Sequence, residues 1–328
     1  MSDPSASQPV NPRKLFQSSD KSLAQKLYAQ MALIRTFEEE LLALFETGEL
    51  VGTTHCYIGQ EANAVGIINH LNDRDIIFSN HRCHGHFLTY TDHPRLLAGE
   101  LMGRDAGVVG GRGGSQHICF QIFYTNGIQG GIVPTATGMA LAEKEKQSDA
   151  IAVAFLGDGT LGEGIVYEAL NMASLWDAPI LFVVENNRWA QSSRVSDELA
   201  GDMVARGQSF GIDAGEIESY NAAELYEHFE PIIEKVRETQ RPHFEVLHTY
   251  RLCHHSKSDD QRPKDEVEAH RKNDPLPILE RHLEQDVIEE IQQAQLKRVT
   301  DAFEWAQAQD PPHPSELDRP ADARLQTS

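Results

Sequence analysis

Residues 150–189 read AIAVAFLGDGTLGEGIVYEALNMASLWDAPILFVVENNRW. Two unbroken apolar runs, AIAVAFL and PILFVVE, are typical of strands buried on both faces, and the segment between them, GIVYEALNMASLW, reads as a helix. Strand, helix, strand at this spacing is a parallel crossover unit. It sets the fold class as α/β, a doubly wound, mainly parallel sheet with helices on both faces. Each run stops in a polar turn, Gly157-Asp158-Gly159 after the first and Asn186-Asn187 after the second. Ligands of such sheets sit beyond the carboxyl ends of the strands, so both turns fall on one edge.

Outward from this unit the alternation continues. PTATGMALAEKEK before it reads as a helix with a closely packed face. A helix-like segment near 222–238 precedes the strand HFEVLHTYRL at 243–252, and His254-His255-Ser256 follows on the same edge. At the other end, apolar residues recur every three or four positions from Leu23 to about Phe45, an amphipathic helix with Gly48 at its expected end. Between 52 and 117 the text changes to short apolar pieces broken by glycines and histidines, densest in SNHRCHGHF and GGRGGSQH. A polar, glycine-rich zone of this kind usually forms loops that approach a ligand, although some are only tight turns. Beyond Asp259 the chain is charged and helical. The expected organisation is one domain over 23–310, with a polar tail at 1–22 and a proline-rich tail at 311–328.

Composition narrows the function. The 328 residues suffice for a sizeable core, and a formal charge of −21 argues against nucleic acid or an anionic membrane surface as partner. No stretch approaches the roughly 18 apolar residues of a membrane span, and the first residues, MSDPSASQPVNPRK, lack the apolar core of a secretory signal. Cys56, Cys83, Cys119 and Cys253 are scattered without CxxC spacing, which suits a reducing cytoplasm.

The two turns of the opening stretch carry chemistry. A hard cation such as magnesium takes oxygen ligands and commonly bridges to phosphates. Asp158 offers a carboxylate and Asn187 an amide oxygen. The flanking glycines permit a sharp turn, and a helix starting near Gly162 would aim free amides at a phosphate. Either turn alone reads as a surface turn. Together, after two consecutive buried strands, they read as a magnesium–diphosphate anchor.

A GDG followed some thirty residues later by NN resembles the thiamine diphosphate motif, and the chain from about Leu23 to Asp310 resembles the alpha subunit of the decarboxylating first component of 2-oxo acid dehydrogenase complexes. That group includes pyruvate, branched-chain and acetoin dehydrogenases. The landmarks are RTFEEELL, HCYIGQEANAVG, NHRCHGH, GRGGSQH, NGIQGGIVPTATG, the GDG–NN block with EALNMASLW, and TYRLCHHSKSDD followed by RKNDP. The resemblance implies a thiamine diphosphate-binding fold of the diphosphate type. It makes Asp158, Asn187 and the backbone carbonyl of Trp189 magnesium ligands, and brings backbone groups of Gly159 and Thr160 to the diphosphate. His81 and Arg82 match a pair that reaches the phosphates, His55 a cofactor-site histidine, and Gly127 and Gln129 main-chain contacts to the aminopyrimidine ring. His255 matches the histidine of a mobile loop that holds the diphosphate and takes part in acyl transfer. His84 is a further catalytic candidate; with His86 and His117 it could line the substrate pocket, although at least half of the fifteen histidines are expected to be structural or exposed. Four positions depart from the family pattern: His81 and Trp189 replace tyrosines, His254 a glycine, and Gln129 a small apolar residue. Ser256 and Ser258 stand where some relatives are phosphorylated, although serines in a polar loop need no such explanation.

The implied reaction is decarboxylation of a 2-oxo acid, pyruvate or a short branched one, with the acyl group passed to a lipoyl group. The family's glutamate for the aminopyrimidine is not found in this chain. It belongs to a beta chain, so this chain is expected to be half an active site, inactive alone, in an α2β2 heterotetramer that hands product to a lipoyl-bearing acyltransferase. Acetoin cleavage and carboligation are alternative activities on the same cofactor. A scaffold without chemistry is the non-enzymatic alternative, against which the presence of Asp158 and Asn187 speaks.

Overall fold

The computed structural model describes residues 23–48, 50, 52–256 and 260–313; the expected tail at 1–22 and most of that at 311–328 lie outside them. The first half of the chain forms α1 (Leu23–Thr47), α2 (Glu61–Ile68), β1 (Ile76–Ser79), α3 (His84–Thr91), α4 (Pro94–Leu101), β2 (Cys119–Phe120), β3 (Phe123–Thr125) and α5 (Ile132–Glu145). The central unit is β4 (Ala152–Gly157), α6 (Gly164–Leu175) and β5 (Ile180–Asn186). There follow β6 (Trp189–Ala190), β7 (Ser193–Arg194), α7 (Val195–Glu198), α8 (Met203–Gln208), β8 (Asp213–Glu218), α9 (Ala222–Thr239) and β9 (His243–His248). The last helices are α10 (Lys264–Arg271), α11 (Pro275–Glu280) and α12 (Gln285–Gln307).

One seven-stranded sheet runs in the order β2-β3-β1-β4-β5-β9-β8. Every neighbouring pair is parallel except β2 with β3. β4 and β5 sit side by side at its centre, as the apolar runs require, and every residue of β5 is buried. Side chains alternate across the sheet. Val153, Phe155, Leu181 and Val183 join the core under α1, α2, α9 and α12, while Ala152, Ala154, Phe182 and Val184 join the core under α5 and α6. β8, reading DAGEIE, lies at the edge with Asp213, Glu216 and Glu218 exposed, and these charges suit a strand with one free side.

Two elements differ from the sequence reading. β9 ends at His248, not at residue 252, because its neighbours end with it: Asn186 and Glu218 are both paired with His248. Tyr250 and Leu252 turn away to pack with Trp189. After β4 the chain makes a 3₁₀ turn over Asp158–Gly162, and α6 starts only at Gly164. A tight turn, rather than the N-terminus of an α-helix, therefore faces the edge of the sheet at Asp158. Three landmarks of the sequence are tied together by one ion network. Arg35 of RTFEEELL donates to Glu61 of GQEA at 2.6 Å and to both oxygens of Asp274 of RKNDP at 2.9 and 3.0 Å. Glu61 in turn accepts the Gly59 N–H at 2.8 Å and so fixes the turn into α2.

Candidate active site

The chain passes from β1 to β3 on one side and then to β4 on the other, so a crevice opens at the carboxyl ends of β1 and β4. A cavity of about 370 Å³ lies there. The segment after β1 supplies Asn80, His81 and Arg82; that after β4, Asp158, Gly159 and Thr160; that after β5, Asn187 and Trp189; and that beyond β9, His255. His55, Gly127 and Gln129 complete the expected set. The structure thus brings eleven of the twelve expected residues together, from segments up to 200 positions apart.

Asp158 is 2% exposed. Its Oδ1 accepts the Gly159 N–H at 2.7 Å, but its Oδ2 is buried with no hydrogen-bond partner. Burial pushes the carboxyl up to about 6. A buried carboxylate oxygen without a donor is costly, and a cation is the partner that would satisfy it. Asn187 shares the cavity; its Nδ2 donates to Gln60 at 3.3 Å and its Oδ1 accepts the Trp189 N–H at 3.2 Å. Trp189 is anchored by its indole N–H, which donates to Glu266 at 2.7 Å, with the Arg194 guanidinium 4.6 Å above the ring. At Gly159 a Cβ would stand 2.7 Å from the Cβ of Ala190, so only glycine fits this turn.

Arg82 straps the opposite side. It is buried and donates to the Cys56 carbonyl at 2.6 Å and, more weakly, to Nδ1 of His255 at 3.3 Å. The rings of His55, His81 and His255 lie 4.5 to 5.4 Å apart. Burial, then neighbouring cationic groups, hold His55 and His81 well below the ordinary histidine range, so both are neutral near pH 7.

The other histidines of NHRCHGHF are not brought into the cavity. His84, expected to be catalytic, is fully buried in α3 with Nδ1 3.1 Å from both oxygens of Glu38. Glu38 also accepts the Tyr57 N–H at 2.8 Å, so this pair braces the HCYIGQEA segment. His86 is bracketed by Ser79 at 2.8 Å and the Tyr57 hydroxyl at 3.0 Å, and burial pushes it down to about 3. His117 is exposed and lines a separate cavity. Ser256 adjoins His255, whereas Ser258 lies outside the described residues.

Other lining residues escaped the sequence reading: Gln60, Asn80, Gln116, Glu163 and Glu185. Glu185 is buried at the end of β5, where burial raises its carboxyl while Tyr57 and Asn63 donate to it. Its signal was a glutamate at the end of a run otherwise wholly apolar. Gln116 is delivered by the glycine-rich loop. One buried carboxylate, Glu100, accepts the backbone N–H groups of Val109, Gly111, Gly113 and Gly114 at 2.6 to 3.1 Å. A Cβ on Gly113 would stand 1.9 Å from the His117 carbonyl, which explains the glycine there.

Residues 29–315 match the family described as Dehydrogenase E1 component. The chain belongs to the dehydrogenase E1 component family. It is 36% identical over 307 residues to the pyruvate dehydrogenase E1 component subunit alpha of Rickettsia bellii, covering 89% of this chain and 93% of the relative. The corresponding subunit of Rhizobium meliloti is 35% identical, over 89% of this chain and 88% of the relative. The alpha subunit of the acetoin:2,6-dichlorophenolindophenol oxidoreductase of Cupriavidus necator is 35% identical, over 74% of each chain. This E1 chain is accordingly an alpha-type component of a heteromeric, thiamine diphosphate-dependent 2-oxo acid dehydrogenase. Among its described residues no helix is long and apolar enough to cross a membrane.

Proposed function

We propose that this cavity holds magnesium and the diphosphate end of thiamine diphosphate, and that the chain decarboxylates pyruvate together with a beta chain. The observation that carries the reading is the buried, partnerless Oδ2 of Asp158 in a cavity shared with Asn187. Asp158, Asn187 and the Trp189 carbonyl would hold the cation. Arg82 would meet the phosphates with a fixed positive fork, and His55, His81 and His255 would add N–H donors. Gly159 and Thr160 bring backbone close to the same place, while Gly127 and Gln129 border it. When bound, thiamine diphosphate supplies the carbon nucleophile that adds to the 2-oxo acid and stores the electron pair released with carbon dioxide. The chain's own residues anchor and orient it, and His255 is placed to serve acyl transfer to a lipoyl group.

A beta partner is supported by the relatives, which are alpha subunits, and by what surrounds the cavity. Its buried glutamate, Glu185, is already engaged by Tyr57 and Asn63. Ile128, between Gly127 and Gln129, is 69% exposed, an apolar rim that suits a covering subunit in an α2β2 assembly. Pyruvate is preferred because the relatives with the greatest coverage are pyruvate dehydrogenase subunits; the Cupriavidus necator relative favours acetoin as the second reading.

The test is co-expression with a beta-type chain, then carbon dioxide release from pyruvate and branched 2-oxo acids and cleavage of acetoin, with magnesium, thiamine diphosphate and an artificial electron acceptor. Pyruvate is expected to turn over fastest, and the chain alone not at all. Full activity from the single chain would refute the half-site reading, and turnover of acetoin alone would replace pyruvate.

A further inference from the structure

Each of the three histidine rings at the cavity already has its Nδ1 met by an N–H. Gln116 Nε2 lies 3.1 Å from Nδ1 of His55, Gln129 Nε2 2.5 Å from Nδ1 of His81, and Arg82 Nη2 3.3 Å from Nδ1 of His255. A guanidinium only donates, so His255 accepts at Nδ1 and carries its proton on Nε2. The Gln129 amide bridges two partners: the Thr160 hydroxyl donates to its Oε1 at 2.7 Å, and its NH2 faces His81. A neutral imidazole that accepts at Nδ1 must carry its proton on Nε2. An anion in the cavity selects the same tautomer, because only N–H groups can serve it.

We propose that Gln129 and Gln116 are positioning residues that set the tautomers of His81 and His55, so that both rings present Nε2–H as neutral donors to the anionic diphosphate of the cofactor. The inference rests on the reading of the cavity as a thiamine diphosphate site. A tyrosine placed at position 81 would donate its O–H with no tautomer to set, whereas a histidine needs a group that sets one, and Gln129 is in contact with it. The ligating atoms of His55, His81 and His255 lie within 4.8 Å of one another, a spacing that also suits a transition metal. A ring that accepts at Nδ1 and donates from Nε2 has no free lone pair, so the cluster is an anion cradle and not a metal site.

The experiment uses the full chain co-purified with its beta-type partner and measures the dissociation constant of thiamine diphosphate, with magnesium, between pH 6 and 8. Gln129→Met removes the N–H at similar volume and is expected to weaken binding about tenfold, the equivalent of one good hydrogen bond. In a His81→Tyr background the same change is expected to cost less than about twofold. Gln116→Met makes the parallel test through His55. Gln129→Glu offers His81 an acceptor and draws its proton to Nδ1. Binding should then be weak at pH 8, where a bare Nε2 faces the phosphates, and recover about tenfold by pH 6, where the ring is protonated and donates again. The charged and titratable groups around His81, namely His55, Arg82, Arg251 and His255, are common to every variant, so the change of profile isolates the 129–81 pair. Equal cost of Gln129→Met in both backgrounds, or a Gln129→Glu profile parallel to the wild type, would overturn the inference and leave the cofactor reading intact. A wild-type complex that binds no thiamine diphosphate would remove both.

Discussion

Two histidine neighbourhoods lie within six residues of each other and behave oppositely. His84 and His86, inside α3, belong to a polar floor: Glu38, Ser79, Tyr57 and Glu185 all find partners among these rings, one another and nearby amides, and of the two rings only His84 keeps a nitrogen, Nε2, without one. His81, just before the helix, faces the cavity with His55, His255 and the partnerless oxygen of Asp158. The floor spends most of its polar groups on holding shape, and the wall turns some of its valence to the cavity. The lesson is that residue type did not separate the two neighbourhoods in NHRCHGHF; position relative to the cavity did.

The largest expected effect lies on the open side. Asp158→Ala in the α/β complex should cost at least about a thousandfold in decarboxylation, on the order of 4 kcal/mol, while the melting temperature holds or rises because an unsatisfied buried carboxylate has gone. Activity within tenfold of wild type would erase the contrast between wall and floor. The closed side should answer in the opposite sense. His84→Leu leaves Glu38 short of its partner and should destabilise the fold by about 1–3 kcal/mol in denaturant unfolding, with cofactor affinity in the surviving folded complex little changed. Loss of affinity with stability preserved would instead return His84 to the site.

A smaller effect is common to the two groups and appears with pH. His55, His81 and His86 all have folded values below their unfolded value of about 6.5, so the unfolded chain binds more protons as the solution is acidified. Their contribution is fully present above about pH 6.5 and is lost as pH falls below it, by up to about 1.4 kcal/mol per unit for each ring. The melting temperature of the cofactor-free complex should therefore drop between pH 7 and 5.5. Replacing His86 by Gln, which cannot titrate, should flatten that drop. An unchanged slope would show that His86 is not held neutral.

Much of the site was legible before folding because its key signals are local. Gly157-Asp158-Gly159 and Asn186-Asn187 each end a run whose burial the sequence announces, and parallel strands deliver their carboxyl ends to one edge whatever lies between. β1 was hidden because four residues, IIFS, sit in a stretch dominated by glycine and histidine, and β8 because an edge strand reading DAGEIE has no apolar run to reveal it. Gln129 was visible as an odd residue, but its role depends on Thr160 and His81, which approach it from 31 and 48 positions away.

By itself the sequence determined the central strand–helix–strand unit, the edge of the sheet where the cavity opens, and the oxygen-bearing side chains that follow its strands, since hydrophobic period and turn chemistry act over a few residues. Only the tertiary structure decided which histidines face the cavity, which oxygen of Asp158 is left without a donor, and that Glu100 gathers the glycine loop. Those outcomes turn on hydrogen bonds between segments far apart in the chain, and the partner that completes or leaves open each polar atom exists only once the sheet has brought those segments together.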